Sequence, residues 1–116
     1  MIIVNTPELK DKDYELLTIV HGSVVMSKHI GKDLMAGFKT IVGGEIQGYT
    51  EMLVDARHVA TERMINQAKK LGADGIINVK YTSSSVMQAA SEVTAFGTAI
   101  KLKTPENNGT ISELSE

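Results

Sequence analysis

One stretch, from Tyr49 to Lys80, most narrows what this chain can fold into: a long amphipathic helix, a glycine stop and a short apolar strand run together almost without a connection. Met52, Leu53, Ala56, Ala60, Met64, Ala68 and Leu71 recur at steps of three and four, the period of a helix with one buried face. Gly48 or Thr50 is positioned to start that helix. Lys69 and Lys70 lie where its dipole is negative, and Gly72 can take the left-handed conformation that ends it. Ala73-Asp74-Gly75 then turns the chain, and the β-branched run from Ile76 to Tyr81 is too short for a second helix and predicts a strand. A helix tied so closely to a strand must lie back across a sheet.

The rest of the sequence bounds that picture. At 116 residues the chain is long enough for one domain and one core. A hydrophobic share of 42% with 22% charged residues is ordinary for a globular protein. Only residues 104–116 depart from it, as a polar, acidic stretch with no basic residue that predicts a flexible tail. Glu106, Glu113 and Glu116 carry the tail's charge, so residues 1–103 are close to neutral, with no cluster of Lys or Arg and only three tyrosines and two phenylalanines. Such a surface argues against nucleic acid as the main partner. The absence of cysteine excludes disulfides, iron–sulfur clusters, thiolate metal sites and cysteine nucleophiles. No run approaches the roughly 20 apolar residues of a membrane span, and Met1-Ile2-Ile3-Val4-Asn5 lacks the basic start of a signal peptide. The expected partners therefore include no nucleic acid and no membrane, and the expected location is cytoplasmic.

In chain order, Ile2-Ile3-Val4 predicts an edge strand closed by Pro7, and Lys10-Asp11-Lys12-Asp13 a turn. Tyr14 to Met26 predicts a long strand with Gly22 as a bulge. Ser27 is a candidate cap for a first helix through Ile30, Leu34, Met35, Phe38, Ile41 and Val42, in which Gly31 and Gly37 imply close packing. Gly43-Gly44 ends it, and a short connector leads to the long helix. After the strand at Ile76, the segment from Ser83 to Ser91 predicts a loop. Glu92 to Leu102 alternates, with Val93, Ala95, Gly97 and Ala99 on one face and Phe96, Ile100 and Leu102 on the other, so both faces should be covered. The expected order is β-β-α-α-β-β, an α+β fold.

Asp33-Leu34-Met35-Ala36-Gly37-Phe38-Lys39, Ile41-Val42-Gly43-Gly44-Glu45-Ile46-Gln47-Gly48-Tyr49-Thr50-Glu51, Ala56-Arg57 and Leu71-Gly72-Ala73-Asp74-Gly75 resemble the YbjQ family of small bacterial and archaeal proteins. The likeness spans nearly all of residues 1–103. It implies a small antiparallel sheet with two helices on one side, similar to a dodecin subunit, assembled into a homopentameric ring. It implies no activity, because the family carries only the label of a heavy-metal-binding domain.

Metal binding must therefore be judged on this chain's own residues. Asp55, His58 and Glu62, with Glu51 one turn earlier, align on the long helix as carboxylate, imidazole and carboxylate. That stripe is centred opposite the Met52/Ala56/Ala60/Met64 face, so a solvated surface is the stronger reading, and a metal site requires stripes to converge between subunits. Soft heavy metals are disfavoured further by the lack of thiolates. His21 and His29 have no ligand partner at a diagnostic spacing, and the six methionines coincide with apolar positions, so core packing accounts for them better than copper does. The run from Gly43 to Thr50 has the outer frame of a phosphate-binding loop, but Tyr49 stands where lysine is needed, and a helix–helix connector is the plainer assignment. Arg57 and Arg63 suit salt bridges with Glu45, Glu51 or a neighbour's acid. No nucleophile, base and orienting acid occur at a recognisable spacing, so an enzyme ranks last. The leading expectation is a self-associating α+β protein, a homopentameric ring, with binding of a small ligand or ion in or beside the ring as a secondary property. The alternative is a metal-binding protein using Asp55, His58 and Glu62.

Overall fold

A computed structural model describes residues 1–27, 41–42, 45–88 and 90–103, with 41–42 and 45–47 described by backbone alone. Six strands and one helix are seen among these residues: β1 (Ile2–Ile3), β2 (Tyr14–Ser27), β3 (Ile41–Val42), β4 (Glu45–Ile46), α1 (Gln47–Lys70), β5 (Gly75–Met87) and β6 (Ala90–Leu102). The main sheet has the order β1-β5-β6-β2. β5 pairs antiparallel with β6 and β6 with β2, while β1 runs parallel to β5. The sheet is therefore mixed, not purely antiparallel as expected. A two-residue strand set beside one far along the chain leaves no trace in sequence periodicity.

The long helix forms where its pattern places it. Met52, Ala56, Ala60, Met64 and Ala68 are buried, and the last four pack with Val20, Val24, Ile76, Val79, Val93, Ala95 and Ala99 of the sheet. Three of the five helix residues are alanines, which bring the helix axis close to the strands. Gly22 accommodates that approach: a Cβ there would collide with the Ala60 carbonyl oxygen, the Met64 amide and the Arg63 side chain. Gly22 is not a bulge, since it stays in register opposite Ala95, and the irregularity in β2 falls between Leu16 and Thr18 instead. The helix starts at Gln47, so Gly48 and Thr50 lie inside it. Its end is a Schellman cap: Gly72 has φ 77°, its amide donates to the Lys69 carbonyl, and the Ala73 amide donates to the Ala68 carbonyl. Leu71 falls in this cap and is exposed.

The two-helix expectation is not supported. Ser27 is the last residue of β2, and Ile41–Val42, expected as a final helical turn, pairs antiparallel with Glu45–Ile46. Adjacent β-branched residues favour that extended pairing. The rest of the expected first helix, residues 28–40, lies outside the described residues, as do the expected tail, residues 104–116, and Gly43 and Gly44. The connector into α1 is thus reached from a strand pair, not from a helix.

The serine run is strand as well. Ser83, Ser84 and Ser85 pair with Val93, Glu92 and Ser91, extending β5 to Met87 and β6 back to Ala90. Serine side chains fit a strand without forming one on their own, and here the β6 partner supplies the ordering. Along β5 the ladder is interrupted between Ile77 and Lys80, where Asn78 takes φ 55°, a conformation asparagine tolerates. The Asn78 amide donates to the Thr6 carbonyl and the Val79 amide to the Val4 carbonyl, so the N-terminal segment lines the edge of β5 up to that point. Asp74 locks the turn after the helix, its amide donating to the Ile100 carbonyl and its carboxylate accepting from the Leu102 amide at 2.7 Å.

Candidate functional site

Helix α1 lies over β2 and β6 and makes far fewer contacts with β5. Because Val20, Gly22 and Val24 pair with Gly97, Ala95 and Val93, these residues form the face under the helix. Past Val79, β5 is no longer buried under the helix, and every residue from Lys80 to Met87 is exposed. The flank of α1 and the uncovered length of β5 therefore meet at an open angle, and two adjoining cavities occupy it.

The larger cavity, about 270 Å³, is lined by Val54, Arg57, His58, Thr61 and Tyr81. The first four stand at i, i+3, i+4 and i+7, one stripe of the helix. The smaller, about 110 Å³, is lined by Leu53, Arg57, Tyr81, Thr82, Ser83 and Val93. Arg57 and Tyr81 border both. Tyr81 pairs with Ala95, which places it on the helix side of the sheet, and its hydroxyl lies 2.8 Å from Thr61 Oγ1. Thr61 Oγ1 also donates to the Arg57 carbonyl at 2.7 Å, which uses its one proton. Tyr81 must then be the donor in the Tyr81–Thr61 bond, and its oxygen is left as an acceptor. Arg57 has Leu53, Val54, Ala60 and Thr61 one turn away on the helix, none of them a carboxylate. Arg57 lines both cavities, and its guanidinium offers donors only.

The residues singled out in the sequence are distributed differently. Asp55, His58 and Glu62 are all exposed on α1, and of the three His58 lines the larger of these two cavities. Among the described residues no three His, Cys, Asp or Glu gather closely enough to hold a metal ion. His21 is an exposed β2 residue whose amide donates to Gln67 Oε1 at 2.7 Å, and His29 lies outside the described residues. Met52 and Met64 are core residues as expected, but Met87 is exposed at the end of β5. Arg63 donates to the Ser23 carbonyl at 2.6 Å, and Glu45, one of its expected partners, is described by backbone alone. Tyr49, in place of a phosphate-loop lysine, packs between helix and sheet with its hydroxyl 2.8 Å from that of Ser91. The sequence reading missed Tyr81 and the Val54/Arg57/His58/Thr61 stripe. The helical spacing of that stripe was legible, but its facing partner depends on how far β5 extends.

Comparison with known proteins places this geometry in a family. The profile of the YbjQ family, described as "Putative heavy-metal-binding", matches residues 1–103. The chain belongs to the YbjQ family. It is 55% identical over 104 residues to a UPF0145 protein of Thermotoga petrophila, covering 89% of this chain and 98% of the relative. A UPF0145 protein of Alkaliphilus metalliredigens is 52% identical over 101 residues, 87% of this chain and 98% of that one. The fold of this YbjQ-family chain is also similar to a solved structure from Pediococcus pentosaceus, a protein of unknown function of the DUF74 family. There the TM-score is 0.60 at 19% identity, over 89% of this chain and 98% of the other. At that identity the likeness concerns the fold alone. No helix among the described residues is long and apolar enough to cross a membrane.

Proposed function

We propose that this YbjQ-family chain acts as a subunit of a cytoplasmic homo-oligomeric ring, with self-association as its primary biochemical property. The observation that carries the reading is that the main sheet has two different open edges bearing apolar side chains. At one edge, β2 runs for 14 residues with no further strand beside it among the described residues, and Leu16, Ile19 and Val25 are 64%, 68% and 57% exposed. At the other, β1 and the segment after it cover β5 only as far as Val79, beyond which Tyr81, Val86 and Met87 are exposed. Long apolar edges invite pairing. Two unlike edges on one subunit favour head-to-tail contacts, which close into a ring when the rotation allows. A fivefold ring is the number implied by the resemblance to the family. The helix limits where a neighbour can bond, since Gln67 and Arg63 already engage the β2 backbone at His21 and Ser23. Sedimentation velocity on Ile19→Glu tests the reading. Wild type sediments as a multimer and the variant as a smaller species with an unchanged far-UV circular dichroism spectrum; a wild-type monomer would sink it.

The family's metal-binding description favours a second reading, in which Asp55, His58 and Glu62 complete an ion site only where copies meet. Carboxylate and imidazole ligands without cysteine suit a borderline or hard cation better than a soft one. That reading requires purified protein to retain stoichiometric metal by elemental analysis and His58→Ala to lose it.

A further inference from the structure

We propose that the cleft between α1 and the uncovered length of β5 binds a small organic anion that carries a hydroxyl or amino group beside its acidic group. The cleft supplies complementary chemistry from two walls. On the helix wall, Arg57 offers a planar fork of donors suited to a carboxylate or phosphate, and no ion pair with another described residue occupies it. His58 stands next to it on the same stripe. On the strand wall, Tyr81 gives its proton to Thr61, whose own proton goes to the Arg57 carbonyl, so the phenol oxygen of this lining residue can only accept. A ligand that satisfies both walls brings an anionic end to Arg57 and a donor to Tyr81. Thr82 and Ser83 add hydroxyls at the smaller recess, and Val54, Leu53 and Val93 supply apolar lining. At about 270 Å³ the larger cavity is just under the roughly 300–1,000 Å³ of drug-sized sites, a size that suits a compact metabolite.

The lining comes from one subunit, and Tyr81 also stands at the β5 edge where a neighbour would pair. The cleft's position is nonetheless informative, because an exposed Arg57 binds anions weakly and in a salt-dependent manner. The arrangement also explains why Arg57 stands on a helix stripe with no carboxylate one turn away: a built-in salt bridge would fill the fork.

The test is an amide-resolved NMR titration of the full chain with inorganic phosphate, with lactate and with propionate, alongside light scattering on the same samples. Saturable shifts centred on Arg57, His58 and Tyr81 are expected with all three. Lactate should bind about three- to tenfold tighter than propionate, the worth of one added hydrogen bond. Arg57→Gln should weaken all three by about ten- to a hundredfold. Tyr81→Phe should keep phosphate binding and erase the preference for lactate. Absence of saturable shifts, an Arg57→Gln variant that binds as wild type does, or a lactate preference that survives Tyr81→Phe would each overturn the proposal. So would an Arg57→Gln variant that loses binding only because its mass falls, since Arg57 would then serve an interface; Tyr81→Phe at unchanged mass separates the two.

Discussion

At the scale of single residues, two glycines are constrained in different ways. Gly22 lies where helix backbone meets strand, and added atoms there meet the Ala60 carbonyl and the Met64 amide, neither of which can rotate away. Gly22→Ala should cost about 2–3 kcal/mol, the upper range for overpacking, measured as a lowered urea midpoint with unchanged slope. Gly72 has open space around its Cβ position but a φ of 77°. Gly72→Ala should therefore cost only the left-handed penalty, about 1 kcal/mol, in the same measurement. A Gly72→Ala loss equal to that of Gly22→Ala would contradict this division between collision and backbone strain. The sequence announced Gly72, because it follows a long helical period and two lysines. It misassigned Gly22, because a glycine in a strand looks the same whether it bulges or admits a helix.

At the scale of elements, legibility follows how local the determinants are. Helix α1 and its stop were readable because Met52, Ala56, Ala60, Met64 and Ala68 repeat within the helix itself. The buried face of β6 was readable for the same reason, from the alternation of Val93, Ala95, Gly97 and Ala99. The strand character of Ser83 to Ser85 was not, since it is set by pairing with residues 91–93. The same non-locality hid the candidate cleft, whose Tyr81 reaches the helix stripe only because β5 continues past the bulge at Asn78. Element stability should differ along β5 accordingly. From Gly75 to Val79 it is largely buried and flanked on both sides, whereas Tyr81 to Met87 is exposed and, among the described strands, flanked by β6 alone. Amide hydrogen exchange in a monomeric Ile19→Glu variant should be at least tenfold faster in the outer half. Equal protection in both halves would contradict the assignment of an unsupported arm.

At the scale of the whole molecule, the sheet is covered by one described helix on one face, and its two open edges differ in character. Burying Ile19 alone against a neighbour would contribute about 1.5–3 kcal/mol per interface, and Leu16 and Val25 flank it along the same strand. Repeated around a ring, that is enough to make Ile19→Glu a decisive change while leaving the core under α1 untouched. The final strand was expected to need cover on both faces. The structure meets this in part, with Ile100 buried and Phe96 and Thr98 half-buried on the side away from the helix. The most direct measurement is native mass spectrometry of the purified protein, before and after chelator. The account predicts one species at five times the subunit mass, unchanged by chelation. A monomer would contradict self-association as the primary property, and a chelator-sensitive adduct in stoichiometric amount would put the Asp55, His58 and Glu62 metal reading ahead of it.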